Sequence, residues 1–222
     1  MSQVRLIAFT QPIELDGVQT GEELVAYCAR VSNPSNQANH ETAPRLLNYL
    51  TRNHHWSPFE MAHAVMEIQT TRDIARQILR HRSFSFQEFS QRYAEVTDDV
   101  MLREARLQDT KNRQNSTETD DAELQRQWCT LQSRTAELTR QTYQWALEQG
   151  IAKEVARAVL PEGLTVSRLY MAGSIRSWIH YIQLRAGNGT QKEHRELAVM
   201  CRLALLHVMP SLKEILDATQ DH

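Results

Sequence analysis

The sequence predicts an α+β fold: one helix-rich domain with a small, mostly antiparallel sheet. Three observations carry that reading. Most of the chain places apolar residues at threes, fours and sevens, the period of a helix with one buried face. Only a few segments, chiefly "QVRLIAFT" (3–10), "MAHAVMEIQTT" (61–71) and "LTVSRLYM" (164–171), have the alternating or β-branched pattern of strands. No internal repeat and no clear linker interrupts the chain, and 222 residues are enough for one large domain with a sizeable core.

Each element has its own local cause. The opening strand is closed by the Asp16-Gly17 turn signal. Thr20 followed by Glu23 reads as a capping box for a helix through "GEELVAYCARV". A polar loop leads to a helix over "PRLLNYLTRN", with Pro44 in its first turn. In 61–71, Ala62, Ala64, Met66 and Ile68 share one face at period two, which is a strand. "RDIARQILRH" returns to helical spacing through Ile74 and Ile78, and it sets Arg72, Arg76 and Arg80 along one face. The polar segment at about 107–122 predicts a mobile surface excursion. Beyond it Leu124, Trp128, Leu131, Leu138 and Trp145 give one long amphipathic helix, ended by Gly150. "IAKEVARAVL" predicts another helix stopped by Pro161, "SIRSWIHYIQLR" a further one, and two more fill the C-terminal part.

Composition excludes several classes. Net charge is −2, so the chain is not a bulk cation built to coat nucleic acid or anionic lipid. Any basic site is local. Cys28, Cys129 and Cys201 lie far apart with no metal-ligand spacing, which predicts buried, reduced, inert thiols and no metal site. The N-terminal stretch lacks the apolar core of a secretory signal, and no apolar run reaches the roughly 20 residues of a membrane helix. A soluble cytoplasmic protein is expected, with neither membrane nor nucleic acid as partner.

Against that neutral background "RHRSFSFQEFSQRY" (80–93) stands out. It gathers Arg80, His81, Arg82 and Arg92 among Phe84, Phe86, Phe89 and Tyr93. Arg72 and Arg76 are either a solvated helix face or part of the same site. Arg80, Arg82 and Arg92 have few acids nearby, and arginine without lysine favours a specific anion held by planar forks. Phe84 and Phe86 share one parity, so they are either core or flat surfaces for a base or an isoalloxazine ring. Glu88 either compensates charge or accepts a hydrogen bond from a ring or ribose donor.

The run "RHRSFSFQEFSQR" fits R-H-R-x-x-S-x-x-x-x-S-x-R and so resembles the signature of flavin-dependent thymidylate synthases. "HHWSPFE" is similar to the family's H-x-[TS]-P-F-E segment, "ARQILRHR" to its helix into the signature and "EVARAVLP" to a later arginine element, while "SIRSWIHYIQLR" resembles the region closing the site. The resemblance runs from about position 20 to about position 200. It implies reductive methylation of dUMP to dTMP, with 5,10-methylenetetrahydrofolate supplying carbon, NADPH supplying electrons and bound FAD carrying them. It assigns Ser57, Arg80, His81, Arg82, Glu88, Ser174, Ile175, Arg176 and His180 to FAD. To the nucleotide it assigns Gln77, Ile78, Leu79, Arg80, Glu88, Phe89, Ser90, Gln91, Arg92, Arg157 and Arg185. His55 falls near folate and flavin, and Arg185 is the residue assigned to catalysis. A homotetramer with shared active sites is implied as well. Ser174 and His180 depart from the asparagines that some members carry; His180, four residues after Arg176, is otherwise a plain helix-surface histidine.

The residues are consistent with that chemistry. The signature holds no thiol, and Ser90 lacks an evident histidine–carboxylate pair, so it is read as orienting substrate. Two rivals remain at this level: a nucleotide- or RNA-binding module using arginine and phenylalanine, and a flavin reductase that transfers no carbon. Net acidity and the arginine elements far along the chain weigh against the first.

Overall fold

The computed structural model describes residues 2–97 and 100–217. In chain order the main elements are β1 (Gln3–Phe9), α1 (Gly21–Ala29), α2 (Ala43–Arg52), β2 (His63–Thr71), α3 (Arg72–Ile78), β3 (Ser85–Glu88), β4 (Arg106–Gln108), β5 (Ser116–Glu118), α4 (Ala122–Glu148), α5 (Lys153–Ala156), β6 (Val166–Ser174), α6 (Ile175–Arg185), α7 (Lys192–Val208) and α8 (Lys213–Asp217). Helices dominate, and the expected small sheet has the strand order β1-β2-β6-β3. The chain divides into two compact units. One holds Gln3–Ile68, His81–Phe86 and the chain from Tyr170 on; the other holds Gln69–Arg80 and Gln87–Leu169 with Ser2. They are called here the α6 unit and the α4 unit.

In the α6 unit the predicted caps form. Thr20 Oγ1 accepts from the Glu23 N–H at 3.2 Å, and Glu23 Oε2 accepts from the Thr20 N–H at 2.9 Å, the reciprocal pattern of a capping box. β2 alternates as predicted, with Ala64, Met66 and Ile68 fully buried. α6 is capped by Ser174, whose hydroxyl accepts from the Ser177 N–H. It buries Ile175, Trp178, Ile179 and Ile182 along one stripe. Trp178 Nε1 donates to the Ala64 carbonyl at 3.1 Å, fixing the helix to β2. Phe84 is core, resolving that alternative: its ring meets Trp178 edge-on at 4.8 Å. The approach requires glycine on β6, because a Cβ on Gly173 falls 2.5 Å from Phe84 Cδ1.

The α4 unit departs from the sequence reading in several places. α3 ends at Ile78, with Leu79 as its C-cap, so Arg80 is not the third member of a helical arginine row. Within the predicted surface excursion β4 and β5 pair antiparallel, Leu107 opposite Thr117, into an exposed hairpin. "IAKEVARAVL" forms only the short α5 and a 3₁₀ turn, Arg157–Val159. Leu160, extended as a residue before proline must be, ends it.

α4 carries the largest correction. Asp121 caps it through the Leu124 N–H, and Gly150, at φ 78°, ends it as expected. An amphipathic helix ordinarily turns its apolar stripe inward, yet Trp128, Leu131, Leu138 and Trp145 are 42–65% exposed. Cys129 is exposed beside them, contrary to the buried thiol expected. The buried face is instead Gln132, Ala136, Tyr143 and Ala146. Its logic is polar. Gln132 accepts from the Arg103 N–H at 2.8 Å and donates to the Arg103 carbonyl at 2.7 Å. Gln125 does the same for Ala105, at 2.8 and 2.9 Å. Two glutamines thus satisfy an irregular segment's backbone groups as a neighbouring strand does.

Gly173→Ala is expected to destabilise the fold by about 1–3 kcal/mol through overpacking against Phe84. Urea titration of the two proteins checks this, and Gly173→Ala with Phe84→Leu should recover part of the loss.

Candidate active site

The signature histidine meets the end of α6. Arg185 lies one turn beyond Tyr181, at the helix's last residue. Its Nε donates to His81 Nε2 at 3.0 Å. A guanidinium has only donors, so His81 Nε2 presents a lone pair and the ring is the neutral Nδ1–H tautomer. Burial, and next the charge of Arg185, lower the His81 pKa to about 4. Tyr181 packs edge-on against His81 at 4.9 Å, and its hydroxyl lies 3.2 Å from His194 Nε2. His194, fully buried, is lowered to about 3 by burial, then by Arg185 and His81. Among the described residues Arg185 has no carboxylate partner. It is a half-buried cation on a neutral acceptor, open to an anion.

Other predicted residues line the surface of the same unit. Arg176 and His180, four apart on α6, are both exposed, and Arg176 pairs with Glu60 at 3.0 Å. Trp56 inclines toward His180 with ring centroids 6.3 Å apart, and Ser57 opens the 3₁₀ turn Ser57–Glu60. His55 packs edge-on against Tyr49 at 6.1 Å. The preceding His54 sits at φ 57°, in the left-handed region where a helix end reverses the chain. Arg82 is exposed on the turn after His81. Ser174 and Ile175 are buried, the serine occupied as the α6 cap.

The α4 unit holds the remainder. Gln77, Ile78, Leu79 and Arg80 form the end of α3 and the residues just after it; Ile78 is core and Arg80 exposed. Glu88 Oε1 accepts from Ser167 Oγ at 2.7 Å and pairs with Arg72, 12% exposed, at 3.4 Å. Glu88 therefore does compensate charge, and Arg72 is no solvated residue. Phe89 continues from β3, its N–H donating to the Arg168 carbonyl at 2.9 Å. Ser90 and Arg92 line an open cleft of about 610 Å³ with Lys153 and Glu154, where Arg92 pairs with Glu154 at 3.3 Å. Gln91 is buried with its Nε2 donor unpartnered in the protein. Arg157 begins the 3₁₀ turn after α5. Arg76, exposed and paired with Glu162, stays a surface residue. Sequence reading missed Tyr181, His194, Lys153 and Trp56; a polar pair at buried helix positions was the available signal for the first two.

The family described as "Thymidylate synthase complementing protein" matches residues 15–211. A probable flavin-dependent thymidylate synthase of Paramecium bursaria Chlorella virus 1 is 51% identical over 213 residues, 96% of this chain and 98% of that one. The chain belongs to the flavin-dependent thymidylate synthase family. A flavin-dependent thymidylate synthase of Synechocystis is 49% identical over 216 residues, covering 96% of this chain and 99% of the relative. A crystal structure of the UMP/dUMP methylase PolB from Streptomyces cacaoi, bound with 5-Br dUMP, superposes with a TM-score of 0.83. It is 27% identical and covers 98% of this chain and 95% of that one. Among the described residues no helix is long and apolar enough to cross a membrane.

The histidines of this family member set the sign of a pH effect. His81 and His194 bind protons more weakly folded than unfolded, so the unfolded chain takes up more protons below about 6.5. Stability is expected to fall as pH drops from about 6.5 toward 4. His194→Gln, which cannot titrate, should lose less stability between pH 7 and pH 5 than the unaltered protein, measured by urea midpoints at each pH.

Proposed function

We propose that this protein reductively methylates dUMP to dTMP, with 5,10-methylenetetrahydrofolate as carbon donor, NADPH as reductant and FAD as bound cofactor. The observation that carries the reading is Arg185: a cation with no carboxylate partner among the described residues, held by the histidine of the family signature. Such a group suits negative charge developing on the oxygens of a uracil ring, where preorganised donors are worth about 2.7–4 kcal/mol. The names of the relatives and the methylase structure support the substrate class and the flavin.

The residues present fit a flavin dinucleotide. Arg176, His180 and Trp56 offer an exposed guanidinium and flat rings on one surface, and Arg82 adds a second exposed cation. Ser57, Ser174 and Ile175 are assigned backbone or packing contacts there, and His55 lies toward the folate. When bound, FAD supplies the redox capacity that no side chain here possesses. On the nucleotide side, Arg92 and Arg157 hold phosphate, with Arg80, Gln77, Ile78, Leu79 and Phe89 forming the rest of the cradle. Glu88 Oε2, which has no hydrogen-bond partner among the described residues, and the buried Gln91 Nε2 offer one acceptor and one donor. Ser90 orients substrate and forms no covalent bond.

The chain is proposed to act as a single domain, since β2, β3 and β6 each contribute residues to both units. It is proposed to assemble as a homotetramer with shared active sites, in the cytoplasm. The outward stripe of α4 supports assembly: Trp128, Leu131, Leu138 and Trp145 keep near-heptad spacing, as a helix facing a second copy does. Leu131→Arg with Leu138→Arg is expected to yield smaller species in sedimentation. An unchanged tetramer would place the interface elsewhere.

Arg185→Ala is expected to retain fold and FAD while dTMP formation slows roughly a hundredfold or more at saturating dUMP. Arg185→Lys, which keeps charge but loses the planar fork, should also be badly impaired. Flavin absorbance of the purified variants and a turnover assay decide it; near-normal turnover leaves Arg185 as a helix-terminal cation.

A further inference from the structure

We infer that Tyr181 and His194 are positioning residues for Arg185: His194 fixes Tyr181, the ring of Tyr181 sets His81, and His81 holds the guanidinium. The proposal rests on the reading above for its activity assay, but its geometry stands independently of it.

The chain of contacts is continuous within one unit. His194 lies in the first turn of α7 and its Nε2 is 3.2 Å from the Tyr181 hydroxyl on α6. The two rings lie 5.8 Å apart at 41°. Tyr181 is held on its other sides by Trp178 at 5.9 Å and Phe84 at 6.0 Å. Its edge-on contact with His81 leaves that ring, with Nε2 turned to Arg185, little room to rotate. Among the described residues Arg185 is the charged group whose field reaches all three of His81, Tyr181 and His194. Burial raises Tyr181, so its hydroxyl keeps its proton, and it shares a hydrogen bond with His194 Nε2. Burial likewise raises Cys201, whose thiol stays protonated. His81 and His194 are lowered, by burial first.

A phenylalanine and a leucine would fill the same volume without burying two polar side chains. Such a pair stabilises only when its geometry is satisfied, and satisfied geometry fixes orientation. What it orients here is the acceptor of an uncompensated cation. A guanidinium aimed at charge that develops during reaction gains from small corrections in placement, because misplacement by about 1 Å can cost about a hundredfold.

The test uses FAD-loaded protein and three variants. His194→Leu and Tyr181→Phe are expected to lower kcat about tenfold while KM for dUMP shifts less than threefold. The acidic limb of the kcat–pH profile should move up, as His81 loosens and protonates nearer its ordinary range. His194→Gln, which keeps a hydrogen-bonding partner for the tyrosine, should restore most of kcat. Should His194→Leu fail to fold, Tyr181→Phe, which removes one oxygen, carries the test. Lowered thermal stability with kcat and the acidic limb unchanged makes the pair mere packing and overturns the proposal. So does a joint loss of FAD and nucleotide affinity. If the unaltered protein does not methylate dUMP, the functional reading fails alone, and NMR titration of His81 still decides this one. Its midpoint should rise in His194→Leu, and an unmoved midpoint refutes the relay.

Discussion

An arginine charge kept in a half-buried place without a carboxylate is the constraint around which the α6 unit is arranged. Burying a charge is expensive unless donors and acceptors replace water. The acceptor chosen for Arg185 is an imidazole lone pair, which takes one N–H without neutralising the charge. Other arginines show the contrast. Arg176, Arg72, Arg76 and Arg92 each face a glutamate, and their fields are damped accordingly. Only a neutral acceptor keeps the cation available, and a neutral acceptor beside a cation must resist protonation. Burial supplies that resistance, and the neutral tyrosine, histidine and thiol nearby add no compensating anion.

The rest of the unit keeps that arrangement in place. Eleven residues of α6 span about 16 Å from the Ser174 cap to Arg185, so a small tilt of the helix displaces the guanidinium at its end. The tilt is fixed at several points: the hydroxyl cap, the indole bond to the β2 backbone and the ring of Phe84 pressed into the space of a missing Cβ. Ser177 Oγ, donating to the Ser83 carbonyl at 3.3 Å, ties the signature turn to the same helix. Phe84 of the signature is therefore a structural wedge, whereas the exposed His180 lies beside the half-buried Trp56.

Where period and chemistry coincide, the sequence was legible. The alternation of Ala62 to Ile68, the Thr20–Glu23 box and the glycine end of α4 all follow from local rules and are all present. Arg185 was placed correctly at a helix terminus because "SIRSWIHYIQLR" has one unbroken apolar stripe. Misreadings arose where a local pattern was answered by something non-local. The stripe of α4 pointed inward by period alone, but Gln125 and Gln132 bind a distant extended segment and turn the other face in. Arg80 looked helical by spacing, although α3 ends before it. Tyr181 and His194 are thirteen residues apart, and no helical or strand period joins them. Two elements had to pack before the pair existed.

The two kinds of arginine differ in how they can meet an anion. Arg92 and Glu154 form an exposed pair, and such pairs contribute little, about 0–1 kcal/mol. A phosphate with more oxygens and greater charge can displace that glutamate at small cost, and Lys153 on the same cleft adds a second cation. On the proposed reading, that exchange would let the cleft select charge and release it easily. Among the described residues Arg185 has no carboxylate to displace, so on the proposed reading its interaction with charge would grow as that charge forms. An interaction that strengthens along the reaction lowers a barrier, whereas one already complete at the start lowers only a dissociation constant. The division between an exposed arginine paired with a carboxylate and a half-buried one held by a histidine thus separates, on the proposed reading, holding the nucleotide from changing it.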